Sequence, residues 1–454
     1  MISTLDLSNN ELTVIIESDW IPTIYFEDLN LASSNISGII PPFISTQYRL
    51  TSLDLSNNSM FGNIPDWLGM LPNLYNLNLS HNILEGLVPY SFNISNFNLL
   101  DLHSNKLQGP LPISSMPLGL HLLDVSQNGF KGSIVVDISN FLPNIQFLSF
   151  SSNDLSGEIP SSIGLLQQME VLDLSKNKLS GKIPSSITNC SVLKRLNLAN
   201  TGLIGGIPYN IGMLSSLGSL HLNGNMLKGN LPSSLKTYSS LQILDLADNL
   251  FYGNIPLWLG QFSELMILVL RSNKFEEHIP HQLSNLSSLH VLDISHNSLI
   301  VGIPPQLATL ISMRNSTLGI SHGNGGNIPP AIGNLKGLHT LNLSDNRLIG
   351  EIPSNFGMLK ELESLDLSNN KLHVNNKSCR CGERSNSNMP TPLPEKEDDG
   401  VEIPWHWYVE WMASAVVGFW GVFGILAIKR QWRRKFIQVL DEMVINLLNG
   451  FISR

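Results

Sequence analysis

The residues with chemical reach come back at a fixed interval. Asp6, Asp54, Asp101, Asp124, Asp173, Asp245, Asp293 and Asp366 each stand between two apolar residues. A carboxylate so placed can act as a general base or hold a cation, and histidine can share that work. These Asp and His residues recur with the pattern and have no orienting third group. No glycine-rich phosphate loop follows a strand and opens a long helix. The reading is therefore of a chain that is not an enzyme and uses no cofactor. Cys379 and Cys381 alone do not make a zinc site, and no metal is expected. Departures from the regular columns carry more information. Arg195, His221, Asn223, Val269 and Arg271 fall within four consecutive repeats, and His103 departs by itself. A patch mixing cations with an apolar residue suits an acidic or C-terminal group of a peptide.

The elements that position these residues follow from the interval. Variants of LDLSNN recur, and each can be marked at the residue three places beyond the second apolar position. The marks run from Asn10 through Ser34, Asn58 and Thr201 to Asn297, then resume at Asn346 and Asn370, with a spacing of 23 to 25 residues. A gap of 49 residues holds one degenerate repeat, with Gly323 near its mark, in a region spanning residues 310–326. This amounts to about sixteen repeats.

In L-x-L the two leucines alternate with outward residues, which is a short strand. The inward leucines stack into one core, so no repeat is stable alone. An Asn at the mark can satisfy backbone groups of neighbouring turns as a ladder, whereas Gly323 cannot. The G-x-I-P that follows, as at Gly62 to Pro65, reads as a tight turn that Pro then closes. Segments such as Ser161 to Leu172 return as short helical turns. The predicted fold class is an α/β repeat solenoid with a concave parallel β-sheet, about 70 Å long at ~4.8 Å per strand.

The far end differs. Residues 412–428 carry no charge, and the aromatic stretch from Trp405 lengthens the run to residues 405–428, which predicts one transmembrane helix. Acidic residues precede it and Lys429 to Lys435 follow it, so the positive-inside bias places the repeats outside and residues 429–454 in the cytoplasm. The basic run lies against anionic lipid in this reading, not against nucleic acid, and the formal net charge of −9 agrees. Ser414, Gly418, Gly421 and Gly424 offer small positions for a partner helix. The expected organisation is a repeat ectodomain at 1–375, an abbreviated cap and acidic segment at 376–404, the helix, and a tail too short for a kinase.

N-glycosylation sequons begin at Asn35, Asn57, Asn78, Asn93, Asn189, Asn285, Asn315, Asn342 and Asn376, all on the side assigned to the outside. Met1 leads straight into a repeat without the series of a signal peptide, so the chain reads as the C-terminal portion of a longer one.

Together these features resemble the plant receptor-like proteins, the kinase-less relatives of leucine-rich-repeat receptor kinases. The resemblance rests on the repeat as it stands at Leu241 to Pro256, the acidic stretch Glu395 to Glu402, the run Gly418 to Arg430, and Trp432 to Phe436 with Asp441 to Met443. The tail is most similar to the subgroup that perceives fungal elicitors. The resemblance implies a single-pass type I protein of the plasma membrane that recognises a peptide or protein on its concave face. It also implies a partner receptor kinase, engaged through the membrane helix, in defence or development. The alternative is a non-signalling recognition or decoy protein resembling a polygalacturonase inhibitor, or a non-functional fragment.

Overall fold

A computed structural model describes residues 3–10, 22–309 and 338–373, apart from 354, 357, 358 and 360. Each repeat contributes one three-residue strand to an inner sheet of fifteen parallel strands, from Thr4–Asp6 to Ser364–Asp366. The register never slips: Leu53 faces Leu77, Leu172 faces Leu196 and Leu292 faces Leu341. A one-residue slip would turn every inward leucine to solvent, so burial enforces this register. The leucines form one continuous core along the solenoid, and Leu77, Leu172 and Leu244 are fully buried.

The Asn ladder closes each turn. Asn249 donates from Nδ2 to the carbonyls of Leu222 (2.9 Å), Leu246 (3.3 Å) and Ala247 (2.9 Å). Its Oδ1 accepts the Leu227 N–H at 3.0 Å. One side chain thus satisfies buried backbone groups of two successive repeats. At the exceptional mark, Thr201 directs its hydroxyl to the Leu198 carbonyl (3.0 Å) and Asn225 Oδ1 (2.7 Å). The residue before each mark is left-handed, with φ of 53° at Asn57, 51° at His81 and 52° at Lys176. This conformation turns the chain off the strand, and repetition holds residues that rarely adopt it alone.

The G-x-I-P segments do more than turn. Residues on either side of their glycines pair into a second, lateral set of parallel strands. This lateral layer is interrupted where the inner sheet is not: it has separate stretches of seven, five and two strands. The first interruption falls at Thr201, where pairing shrinks to a single bridge between Lys182 and Ile204. The second flanks residues 310–337, which lie outside the described residues. There the inner strand Val291–Asp293 pairs directly with Thr340–Asn342, and Asn346 serves the Leu299 N–H as an ordinary ladder residue.

The convex side is built from short 3-10 turns such as Ser161–Leu165 and Leu257–Gln261, as the return segments predicted. They pack closely: a Cβ on Gly164 or Gly260 would lie 2.1 Å from the carbonyl oxygen of Ser186 or Gln282 in the next turn.

The helices correct one expectation. Among the described residues, no helix is long and apolar enough to cross a membrane. The convex 3-10 turns have three to five residues, about 10 Å at ~2.0 Å per residue against a hydrocarbon core of ~30 Å. The expected transmembrane helix at 405–428 is therefore not supported. With it fall the single-pass type I placement in the plasma membrane, the lipid anchor, and a kinase engaged through that helix. The segment itself, with Ser414, Gly418, Gly421 and Gly424, lies outside the described residues.

Candidate functional site

The concave face is a set of side-chain columns running across the strands. The column between the two inward leucines holds the recurrent Asp residues, and their role is structural. Asp54 Oδ1 accepts the Ser56 N–H at 2.8 Å, Asp173 accepts that of Ser175 at 2.9 Å, and Asn197 does the same for Ala199 at 3.1 Å. Each acid caps the end of its own strand. Burial pushes the Asp173 carboxyl up to about 6 and that of Asp245 to about 7. Val269 occupies this column without any such acceptor and is fully buried.

The patch singled out by sequence lies on adjacent strands but not as one exposed surface. Arg195 opens the strand Arg195–Asn197 and is half-buried. Burial lowers its pKa to about 10 against the attraction of Asp173, so it stays cationic at neutral pH. His221 ends the neighbouring strand and is 1% exposed. Its Nε2 meets Ser219 Oγ at 2.7 Å, while the buried Nδ1 has no hydrogen-bond partner. Burial and then the Arg195 charge depress this imidazole to about 3, so it is neutral. Asn223 is 5% exposed, with Oδ1 unsatisfied. Arg271 stands apart from this trio, its Nη2 held by Asp248 Oδ2 at 2.9 Å. The structure thus joins Arg195, His221 and Asn223 in a recessed polar floor and pairs Arg271 elsewhere.

A third column went unread in the sequence. The residue that opens each inner strand is Leu99, Leu122, Phe147, Val171, Ile243, Ile267 or Val291 through the middle of the solenoid, broken only by Arg195 and Ser219. Outside that span it is polar: Thr4, Asp28, Ser52 and Asn76 on one side, Thr340 and Ser364 on the other. The signal was present in the aligned repeats, at the position before the second leucine of each strand.

Of the sequons, Asn35, Asn57, Asn189 and Asn285 are exposed. Asn78 and Asn342 cap strands through Oδ1 onto Ser80 and Ser344, and Asn342 is 7% exposed. Asn315, Asn376 and the side chain of Asn93 lie outside the described residues, as do Cys379 and Cys381. Cys190 is buried on the convex side, its Sγ 3.4 Å from the Ile163 carbonyl.

Comparison with known proteins agrees with this architecture. The Leucine Rich Repeat family model matches residues 49–71, 144–166, 168–190, 240–262, 288–310 and 337–359. The chain is 30% identical to the ectodomain of the Arabidopsis receptor kinase HAESA, solved with the peptide hormone IDA and the co-receptor SERK1, with a TM-score of 0.63. That match covers 76% of this chain but only 58% of the receptor ectodomain. A TDR receptor is 29% identical, with a TM-score of 0.60 over 76% of this chain and 68% of its own. A leucine-rich-repeat protein of Leptospira interrogans is 26% identical over 76% of this chain and 85% of its own, with a TM-score of 0.55. No curated protein sequence matches. The chain is a leucine-rich-repeat solenoid related to plant peptide-hormone receptor ectodomains, and like them it is a non-catalytic module.

Proposed function

We propose that the chain is a receptor-type recognition module that holds an extended peptide along its concave face and acts together with a partner kinase. The apolar column confined to the central strands carries this reading. Nine inner strands from Leu99 to Val291 span about 38 Å at ~4.8 Å each, the length of roughly eleven extended residues. An apolar stripe of that size on an otherwise polar face marks a binding surface. Arg195 interrupts it with a cation that burial has not neutralised, beside a neutral His221. A partly desolvated guanidinium in an apolar groove selects a carboxylate. The likeness to an ectodomain solved with both a peptide hormone and a co-receptor supports the same division of labour.

Panning a library of eleven-residue peptides on the purified chain tests this. Selected binders should lose more than a hundredfold in affinity to I243D/I267D. Alanine at Arg195 and Arg271 together should weaken acidic peptides about tenfold and spare their neutral analogues. Binders indifferent to I243D/I267D would remove the groove from the reading.

A further inference from the structure

Toward the N-terminal end of the apolar column, a second group of side chains serves neither the core nor the groove. Asp101 and Asp124 face each other across paired strands on the concave side. His103, two residues beyond Asp101, turns its Nδ1 to Asp101 Oδ1 at 2.7 Å. One ligand atom from each of Asp101, His103 and Asp124 lies within 4.8 Å of the other two, the one such trio among the described residues. On its other side, the His103 ring meets His81 edge-on, with Nε2 to Nε2 at 2.7 Å.

The ordinary structural duty of this column does not explain the arrangement. His103 stands where neighbouring repeats place Ser80 and Ser126, and His81 where others place Ser33 and Ser104. Both histidines are surplus to the repeat, and they converge on the one place where two strand-capping acids are adjacent.

We propose that Asp101, Asp124 and His103 Nδ1 form a site for a divalent transition-metal ion of the zinc class, with His81 as the outer-shell partner of His103. The donor set is one imidazole nitrogen and two carboxylates, which suits a borderline ion. Ligand distances of about 2.0–2.2 Å place tetrahedral donor atoms about 3.3 Å apart. The Asp101–His103 pair must open slightly, and the Asp124 carboxylate must close in. Both acids keep their capping bonds in doing so, because Asp101 and Asp124 hold the His103 and Ser126 N–H groups through a single oxygen, Oδ1. A ligating imidazole characteristically donates its second N–H to a fixed acceptor. His103 Nε2 already points at His81 Nε2, which has a lone pair to receive it. Three protein donors leave a position open towards the concave face, where water or a carboxylate of a bound molecule completes the shell.

Titration of the full chain with Zn2+ alone tests the site. One equivalent should bind, survive gel filtration and raise the melting temperature, and Co2+ should give the visible absorption of a four- or five-coordinate ion. H103S and D124N should lose this binding. Both should fold, since serine and asparagine occupy these columns in neighbouring repeats. H81S should bind about tenfold more weakly through loss of the outer-shell contact. Replacement of His121, whose ring bonds only the Gly119 carbonyl, should leave binding intact. Less than one equivalent bound, or binding that H103S and D124N retain while their circular dichroism matches the parent, overturns the site.

Discussion

The inner and lateral sheets are built by the same repeats, yet one is continuous and the other is broken. The inner sheet runs through fifteen strands, across Thr201 and across the residues before Leu338. The lateral sheet yields at both places. The difference lies in what holds each strand. An inner strand is fixed by two buried leucines and a capping carboxylate as well as by backbone bonds. A lateral strand has two to five residues, often with a glycine inside, and has one buried side chain. Glycine inside a strand weakens it. The lateral layer therefore depends on the ladder beneath it, and it fails first where the ladder changes chemistry.

Three substitutions break or sharpen that contrast. Asn249→Ala removes four hydrogen bonds to buried backbone groups and leaves them unsatisfied, which should cost about 3 kcal/mol in chemical denaturation. Amide exchange should accelerate around Leu227 and Leu250 in the lateral sheet more than around Leu244 in the inner one. Equal acceleration in both sheets would show that they do not differ in robustness.

Asp245→Asn addresses the inner sheet alone. Burial raises the Asp245 carboxyl to about 7, above its unfolded value. The folded chain therefore holds this proton where the unfolded chain has released it. The parent loses that stabilisation as pH rises through about 7 and keeps it below about pH 4. Asparagine retains the cap, as Asn197 does, and cannot ionise. The stability of D245N relative to the parent should increase between pH 5 and pH 8 by more than about 1 kcal/mol. A pH-independent difference would place the Asp245 carboxyl in ordinary solvent.

Thr201→Asn should have the smallest effect. A restored ladder residue should add roughly 0.5–1 kcal/mol and slow exchange at Leu203 and Ile204, joining the seven-stranded and five-stranded lateral stretches. No gain in protection there would mean that Thr201 is not the cause of the break.

The legibility of the fold follows the same division. The L-x-L strands, the Asn ladder and the convex turns could be read in advance, because each is a fixed residue type at a fixed place. The lateral sheet could not, because Gly62 and Gly157 carry no apolar alternation and signal a turn more strongly than a strand. In the concave site, Arg195 and His221 stood out against uniform columns and the structure brings them together. Arg271 stood out equally, yet Asp248 holds it away from them. Leu122, Ile243 and Ile267 escaped notice because they are members of a class rather than copies of one residue. Their common property is apolarity, which shows only when repeats are aligned strand by strand.

The unslipped register also has a mechanical meaning. Every ladder residue is tied to the repeat before it, and almost none reaches further, so tension applied at the ends is carried by one inter-repeat seam at a time. Pulled apart, the solenoid should unspool in even increments of about 80 Å, one repeat of extended chain per event. One event should be about twice as long, when Val291–Asp293 parts from Thr340–Asn342 and frees the chain between them.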